Sequence, residues 1–544
     1  MKQFIFLSLP FLFTILFALL PQKPWFVILE KNEMIYLSVF FLVFQFLVLK
    51  FNKALSNSMN FSESILEKNK VWFLLLFFLS MLAFPIRNLN WGDGILLLET
   101  NLLETNLFGL QIAMDEIFET SAHSLVYHLL SFFGFSSDNR YSYQIVSFVT
   151  GALFITLTGW KLKNEKSDKT ELYPSLLFLG SGGFLVFFGY AENYSILSLY
   201  LFFILFLIRY WIINEKSSTY LLIGATLLVT VGIYFHLVSG FLAIALFYLW
   251  YEFSDKLDKL KHFLICSAIG GGLLLLGFSY LLFLHDPNLD RQSSHLLHPP
   301  IYPWKRLISI NHLQEIFSVL WWNSKIAIFL IPFAFIFYKE KFKFILQKKE
   351  NRFLIASALA FFCNGFFINP MLGFPADWDM IGFYWIPLAY IAYLLLAHIP
   401  ELRLQLLPLV CFSLTLQILQ ARELSKENIQ NEKLIKLTQA LVFEYVSENK
   451  TLIESLPKSD KKFYAKTDFF LYKAKKISER MCEFPAKQNL ITELIRLRNL
   501  FRSETASGKL KDKIWIKEFL AEATKGNTFY IKSLEANKLC HLEL

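Results

Sequence analysis

Apolar runs long enough to cross a lipid bilayer recur from the N-terminus to about residue 420, and they restrict the fold more than any other feature of the chain. About 20 apolar residues span the hydrocarbon core, where only helices and closed barrels satisfy every backbone polar group. The composition agrees, because 55% of the 544 residues are hydrophobic and only 18% are charged. The sequence therefore predicts an all-α, polytopic transmembrane helical bundle of about 11–13 spans. The runs lie near 4–20, 35–51, 71–87, 143–160, 173–188, 190–213, 219–235, 236–250, 263–284, 324–338, 353–368, 381–397 and 404–420.

Three short lysine-rich segments orient these spans, because positively charged loops remain in the cytoplasm. They are 161–166, 256–261 and 339–349. Threading the spans between them alternates without conflict and places the N-terminus inside. The same threading predicts four extracytoplasmic segments, namely 88–142, 285–323, 369–380 and the tail from about 421.

The pattern predicts three parts. Residues 1–70 form a membrane hairpin with a linker, 71–420 form the transmembrane core, and 421–544 form an extracytoplasmic helical domain. In the outer loop 88–142, charged and apolar residues alternate at helical spacing, which indicates amphipathic helices at the membrane interface. The tail is predicted to be helical and soluble because its apolar residues recur every three or four positions.

The first outer loop carries an aspartate flanked by two glycines, in Trp-Gly-Asp-Gly at 91–94. The two glycines let the backbone approach a bound group closely. A carboxylate at the membrane surface is placed to accept a proton from an acceptor hydroxyl, so Asp93 is a candidate catalytic base. The structural alternative makes Trp91 an interfacial anchor and Asp93 a helix cap.

Further along the same loop, four side chains recur at three- or four-residue spacing and therefore share one helical face. They are Glu116, Glu119, His123 and Tyr127. Such a face can hold a metal ion or a sugar, which makes Glu116, Glu119 and His123 candidate ligands. The alternative is a solvated amphipathic helix.

An acid also lies between two apolar runs, in Gly-Tyr-Ala-Glu-Asn at 189–193, almost without a polar spacer. A carboxylate there requires a partner because its surroundings are lipid or protein, so Glu192 and Asn193 are candidate substrate ligands. His236 occupies a similar sharp turn on the same predicted face and is a third candidate. For a lone histidine, a packing role is the alternative.

Asp377 and Asp379 bracket Trp378 after two prolines have interrupted the preceding helix. Two acids at this spacing can bind a substrate polyol or a metal ion. The alternative is a capped start of the span that follows.

The outer loop 285–312 carries basic residues on a backbone restricted by prolines. A basic group near the interface can hold a lipid phosphate, and the candidates are Arg291, Lys305 and Arg306. A flexible surface loop is the alternative.

Several function classes are disfavoured by features that the sequence lacks. The net charge of +9 comes without a basic stripe interleaved with aromatic residues, so a nucleic-acid partner is not expected. No phosphate-binding glycine loop followed by Lys-Ser or Lys-Thr occurs, which disfavours ATP-driven transport. Two alternatives to an enzyme stay open: a transporter or lipid or glycan flippase with an acid-lined pathway, and an assembly protein whose tail recruits partners.

The order of the acidic motifs resembles that of the C-type glycosyltransferase superfamily. The motifs are Trp-Gly-Asp-Gly at 91–94, Gly-Tyr-Ala-Glu-Asn-Tyr at 189–194 and Leu-Gly-Phe-Pro-Ala-Asp-Trp-Asp at 372–379. That superfamily includes protein O-mannosyltransferases, the aminoarabinose transferases of lipid A and the oligosaccharyltransferases. The resemblance covers roughly 71–420 and is greater to a little-characterised bacterial branch than to those three.

The resemblance implies catalysis on the extracytoplasmic face of a bacterial inner membrane. It implies a polyprenyl-phosphate-linked sugar as donor and a glycan, lipid or protein as acceptor. Asp93 would be the base, and glycines flank it where other members carry a second acid. A divalent cation, Mg²⁺ or Mn²⁺, is therefore left open as a cofactor, with Glu116 or Glu119 as the second acid. The phosphate charge that develops on the leaving group would be stabilised by Arg291, Lys305 or Arg306.

Overall fold

A computed structural model describes most of the predicted membrane region. The described residues are 2–20, 28–51, 70–87, 97, 103, 116–135, 139–161, 173–284, 301–369, 377–399 and 401–426. They all belong to one compact unit that comprises residues 1–289 and 301–426. Of the predicted C-terminal domain only residues 421–426 are described, and Asp93 and Arg291 lie outside the described residues.

The described residues form helices joined by short connections. In chain order they are α1 Lys2–Leu19, α2 Lys31–Lys50, α3 Lys70–Ala83, α4 Ile117–Phe132, α5 Asn139–Lys161, α6 Tyr173–Leu179, a 3₁₀ segment Gly182–Phe187, α7 Ser195–Ile213, α8 Ser218–Phe235, a 3₁₀ segment Leu237–Leu242, α9 Ala243–Phe253, α10 Lys259–Leu284, α11 Trp304–Leu307, α12 Ile310–Phe337, α13 Lys339–Gln347, α14 Lys349–Phe367, α15 Trp378–Ile381, α16 Trp385–His398 and α17 Glu401–Ser425. Within this part of the chain, β pairing is confined to an isolated bridge between Ile301 and Ile368.

Eight helices of the described ranges are long and apolar enough to cross a membrane: α1, α2, α5, α7, α8, α10, α12 and α17. Three shorter apolar helices accompany them, at Val71–Ala83, Leu237–Phe253 and Trp385–His398. The predicted all-α, polytopic helical bundle is thereby confirmed, and the chain is an integral membrane protein. Many large apolar side chains point outwards, as expected where lipid replaces water around the bundle.

Ion pairs between helix termini identify one end of the bundle. Lys349 and Arg352, at the start of α14, lie 3.2 and 3.3 Å from Glu252, near the end of α9. Lys341 of α13 pairs with Glu401 at the start of α17, at 2.8 Å. We call this the lysine-rich end. These connections are among those that the lysine-based threading places together on one side.

Contacts at the opposite end join a different set of connections. The N–H of Ile86, after α3, donates to the carbonyl of Phe188 at 2.7 Å. The N–H of Tyr302 donates to the carbonyl of Phe367, at the end of α14, at 3.0 Å. The segments before α7, before α12 and after α14 therefore share this opposite end, which is where the threading places the unusual acids.

Two membrane segments are interrupted inside the bundle, and the interruptions face each other. The backbone of α12 leaves helical geometry at Ser324, with φ −137° and ψ 34°. α6 ends at Leu179, and the 3₁₀ segment starts only at Gly182. A Cβ at Gly182 would overlap the carbonyl oxygen of Trp322, so the two interruptions are in direct contact.

Two expected boundaries differ from the structure. The run 173–188, predicted as one span, is a short helix followed by a break and a 3₁₀ segment, because a glycine-rich stretch interrupts it. The predicted loop 285–323 is helical from Ile310 onwards. Polar residues such as His312 and Glu315 lowered the hydropathy there, although they lie on a helix that continues into the bundle.

Candidate functional site

Four segments that are distant in sequence meet at the end opposite to the lysine-rich end. Tyr194 lies between them, since its ring packs against His236 at 5.4 Å and against Phe383 at 5.8 Å between ring centroids. Burial raises the pKa of the Tyr194 hydroxyl well above its usual value, and four carboxylates add to the shift: Glu116, Asp379, Glu192 and Asp377. We call these four carboxylates the acidic cluster. Direct contacts bring the segments that carry them together, since Asn193 donates to Glu116 and Tyr190 packs on Trp378 between the two aspartates.

Glu116 connects the start of α4 to two other segments of the site. Its Oε2 accepts a hydrogen bond from Nδ2 of Asn193 at 2.7 Å. Its Oε1 lies 3.7 Å from Nε2 of His236. Glu116 is partly exposed, with 14% of its side chain accessible, whereas the other three members of the acidic cluster are buried. It is therefore the member that a substrate reaches with the least rearrangement.

Glu119 and His123 lie one and two turns further along α4 and are fully buried. Oε1 of Glu119 accepts the N–H of Leu197 at 2.5 Å, so this side chain caps the first turn of α7 from a neighbouring helix. Burial raises the pKa of Glu119 to about 8 and lowers the pKa of His123 to about 3. Oε2 of Glu119 and Nε2 of His123 lie 3.7 Å apart, but both groups are neutral near pH 7 and form no ion pair.

His236 ends α8 and starts the following 3₁₀ segment in an extended conformation, with φ −166° and ψ 142°. Its Nδ1 accepts a hydrogen bond from the N–H of Val238 at 3.0 Å. Its Nε2 faces Glu116. The imidazole thus caps a short helical turn with one nitrogen and presents the other to the acidic cluster.

The turn at 189–194 requires a glycine at its start. Gly189 has φ +71°, a conformation that side chains disfavour, and a Cβ there would lie 2.8 Å from Cζ of Phe148. The turn brings Tyr190 and Glu192 into the interior, where they are 1% and 4% exposed. The sequence pattern thereby explains how an acid between two apolar runs reaches the site and not the lipid.

Asp377 and Asp379 enter the site from the short helix α15. Oδ1 of Asp379 accepts the N–H of Met380 at 2.9 Å, while the side chain of Asp377, at the N-cap of α15, makes no cap hydrogen bond. Trp378 between them is buried and packs on Tyr190, at 6.1 Å between ring centroids. Burial, with the charges of Asp379, Glu192 and Asp377, raises the pKa of Tyr190 well above its usual value.

The two basic candidates within the described part of the chain lie away from these contacts. Lys305 is exposed on α11. Arg306 donates from one Nη to both carboxylate oxygens of Glu315, at 2.6 and 2.7 Å. His312 adds a contact to the same carboxylate at 3.6 Å. Arg306 is thus held by a carboxylate of α12, and the expectation that Lys305 or Arg306 binds a phosphate stays a prediction.

The structure adds residues that the sequence reasoning missed. Tyr194 was not among the predicted site residues. It lies two residues after Glu192 and therefore belongs to the same turn. Lys325 on α12 is 1% exposed, and its Nζ donates to the carbonyl of Trp322 at 2.9 Å. The run 324–338 contains this lysine among apolar residues, and that isolated charge was the available signal.

No group of three or more His, Cys, Asp or Glu side chains suited to a metal ion occurs among the described residues. The acidic cluster can nevertheless bind hydroxyl groups, because carboxylates accept hydrogen bonds from several partners at once. No protein-family model, curated protein or solved structure matches the chain. The functional argument therefore rests on the geometry of this site.

Proposed function

We propose that the protein is an integral membrane glycosyltransferase that moves a sugar from a polyprenyl-phosphate donor to a lipid, glycan or protein acceptor of the cell envelope. The observation that supports this most is that the segments carrying Glu116, Glu192, Asp377 and Asp379 meet at one end of the bundle. Asn193 donates to Glu116, and the ring of Tyr194 packs against His236 and Phe383. Buried ionisable groups in a membrane protein are costly and mark functional sites. Their position at a helix-end surface suits a substrate carried in the adjacent leaflet.

The chemistry of the side chains favours a carbohydrate ligand. Carboxylates and the Asn193 amide supply hydrogen-bond acceptors and donors for sugar hydroxyls. The ring of Tyr194 lies beside them, against His236. An extracytoplasmic location follows from the positive-inside rule, because the site lies opposite to the lysine-rich end.

The proposed reaction is a displacement at the anomeric carbon. A carboxylate takes the proton of the acceptor hydroxyl, whose oxygen bonds to the anomeric carbon while the bond to the lipid phosphate breaks. The leaving group departs as polyprenyl phosphate with the bonding electron pair. Asp93, the base expected from the sequence, lies outside the described residues, so that assignment stays a prediction.

Donor turnover by the purified full-length protein tests this proposal. The probes are radiolabelled polyprenyl-phosphate mannose, glucose, galactose and arabinose with extracted envelope lipids and glycans, and the measured product is free polyprenyl phosphate. We expect turnover of at least one donor and a loss of about 10²-fold or more in a Glu192→Gln, Asp379→Asn double variant. Glu401→Gln, an exposed residue at the lysine-rich end, is the matched control. A folded wild type that consumed none of the four donors would refute the proposal.

One observation favours the alternative of a transporter or flippase. Substrate sites of transporters lie where broken helices face each other inside the membrane, and the interruptions at 180–181 and at Ser324 do so here. Lys325 lies beside the second interruption, and no carboxylate of the described residues forms an ion pair with it. Counter-flow in proteoliposomes that depended on Lys325 and Glu192, without donor turnover, would support this second function.

A further inference from the structure

The protonation of His236 follows from its hydrogen bonds. Nδ1 accepts the N–H of Val238 at 3.0 Å, so this nitrogen carries no proton. A neutral imidazole then carries its proton on Nε2, the nitrogen that faces Oε1 of Glu116 at 3.7 Å. His236 therefore presents an N–H towards Glu116 and has no free lone pair with which to accept a proton from a substrate.

Glu116 accepts a hydrogen bond from one segment and faces a second N–H from another. Asn193 donates to Oε2 at 2.7 Å, and His236 presents Nε2–H to Oε1. The second distance exceeds that of a hydrogen bond, about 2.7–3.2 Å, and contacts of this kind tighten when a substrate completes a site. Each donor addresses a different carboxylate oxygen, so the carboxylate plane has a defined orientation.

Exposure separates Glu116 from its neighbour Glu119. Glu116 is partly exposed, whereas Glu119 is fully buried and occupied in capping α7. Glu119 is also held in its neutral form at neutral pH, in which it accepts no proton. Of the two acids on α4, Glu116 alone combines access with a fixed orientation.

We infer that Glu116 is the catalytic base of this site. His236 is a positioning residue, whose Nε2–H orients the Glu116 carboxylate. This rests on the proposed sugar transfer. Glu116 takes the proton from the acceptor O–H as the acceptor oxygen bonds to the anomeric carbon, and the electron pair of the breaking C–O bond leaves with the lipid phosphate. The carboxylic acid that results is deprotonated by solvent through its exposed edge.

Amide variants of His236 separate positioning from structural support. In His236→Asn, Oδ1 replaces Nδ1 and keeps the bond from Val238, but the donor to Glu116 is lost. In His236→Gln, Nε2 of the amide replaces the donor, and the bond from Val238 is lost. We expect His236→Asn to retain thermal stability and to lower kcat about 10- to 100-fold with little change in KM, the effect of one hydrogen bond to a charged group. We expect His236→Gln to be less stable and to keep kcat within about threefold.

Glu116→Gln tests the base itself, with Asp93→Asn as its counterpart. We expect Glu116→Gln to lower kcat for donor turnover by about 10²- to 10⁴-fold and Asp93→Asn to have a much smaller effect. The inference is overturned if Glu116→Gln turns over donor at the wild-type rate, if Asp93→Asn alone abolishes turnover, or if the two His236 variants rank in the opposite order. A wild type that consumes no donor would instead refute the proposed function, so the two failures are distinguishable.

Discussion

Burial of Glu119 and His123 makes the stability of the folded protein depend on pH in opposite directions. The pKa of Glu119 is raised from 4.5 to about 8, so its contribution to stability is present below about 4.5 and is lost as pH rises towards 8. The pKa of His123 is lowered from 6.5 to about 3, so its contribution is present above about 6.5 and is lost as pH falls towards 3. Both side chains are 0% exposed, which makes desolvation the dominant cause.

Glu119→Gln should remove the loss of stability that Glu119 causes as pH rises towards 8. The amide oxygen of glutamine can still accept the N–H of Leu197, but it does not ionise. We expect the free energy of unfolding of the wild type to fall relative to that of the variant between pH 5 and pH 8, by at most about 1.4 kcal/mol for each pH unit. Thermal unfolding of both proteins in the same detergent over this pH range measures the difference. A constant difference across the range would show that burial does not raise the pKa of Glu119 in the folded protein.

The sequence predicted which residues belong to the site where a charged or polar side chain is unusual for a membrane protein. Glu192, Asn193 and His236 were expected on one face, and the structure brings them together around Tyr194. Their exposure was not predictable. Glu116 and Glu119 are the same residue type one helical turn apart, and only tertiary packing makes one partly exposed and the other a buried cap of α7.

Facing interruptions in two membrane segments bring two backbones into direct contact. The carbonyl of Trp322, next to the break in α12, lies against the backbone of Gly182. Closely approaching backbones in membranes rely on small residues, since lipid gives helices no hydrophobic drive to associate. Sequence reasoning read 173–188 as one span because hydropathy averages over the glycines and does not register where a backbone turns.

Gly182→Ala should therefore destabilise the bundle. The added methyl group would overlap a backbone oxygen, which cannot rotate away as a side chain can. We expect a loss of about 1–3 kcal/mol, the usual range for overpacking in a close-packed interior. Gly271→Ala on α10 is the matched control, because a Cβ there meets nothing within 4 Å and alanine favours a helix over glycine. Thermal unfolding that ranked Gly182→Ala equal to or above the control would contradict the proposed contact.

At the scale of the whole molecule, the acidic cluster and the lysine-rich connections lie at different ends. Lysines and their partners, such as Lys341 with Glu401 and Lys349 with Glu252, gather at one end. The acidic cluster gathers at the other. The all-helical bundle and this separation were both predictable, because hydropathy and lysine-rich loops report on topology without knowledge of packing. The arrangement of the four acids was not predictable, because it depends on contacts between segments that are distant in sequence. Hydropathy and spacing report only on local structure.

The threading predicts which end of the bundle faces the cytoplasm. Leu257, in the connection between α9 and α10, is 98% exposed at the lysine-rich end, and Asn311 is exposed at the start of α12 at the opposite end. In a variant without native cysteines, we expect Leu257→Cys to react with a membrane-impermeant maleimide only from the cytoplasmic side and Asn311→Cys only from the outside. Right-side-out and inverted vesicles provide the two accessibilities, and permeabilised vesicles, in which both positions should react, provide the control. Reaction of both cysteines from one side would contradict the threading, and a reversed pattern would place the acidic cluster in the cytoplasm, out of reach of a donor in the outer leaflet.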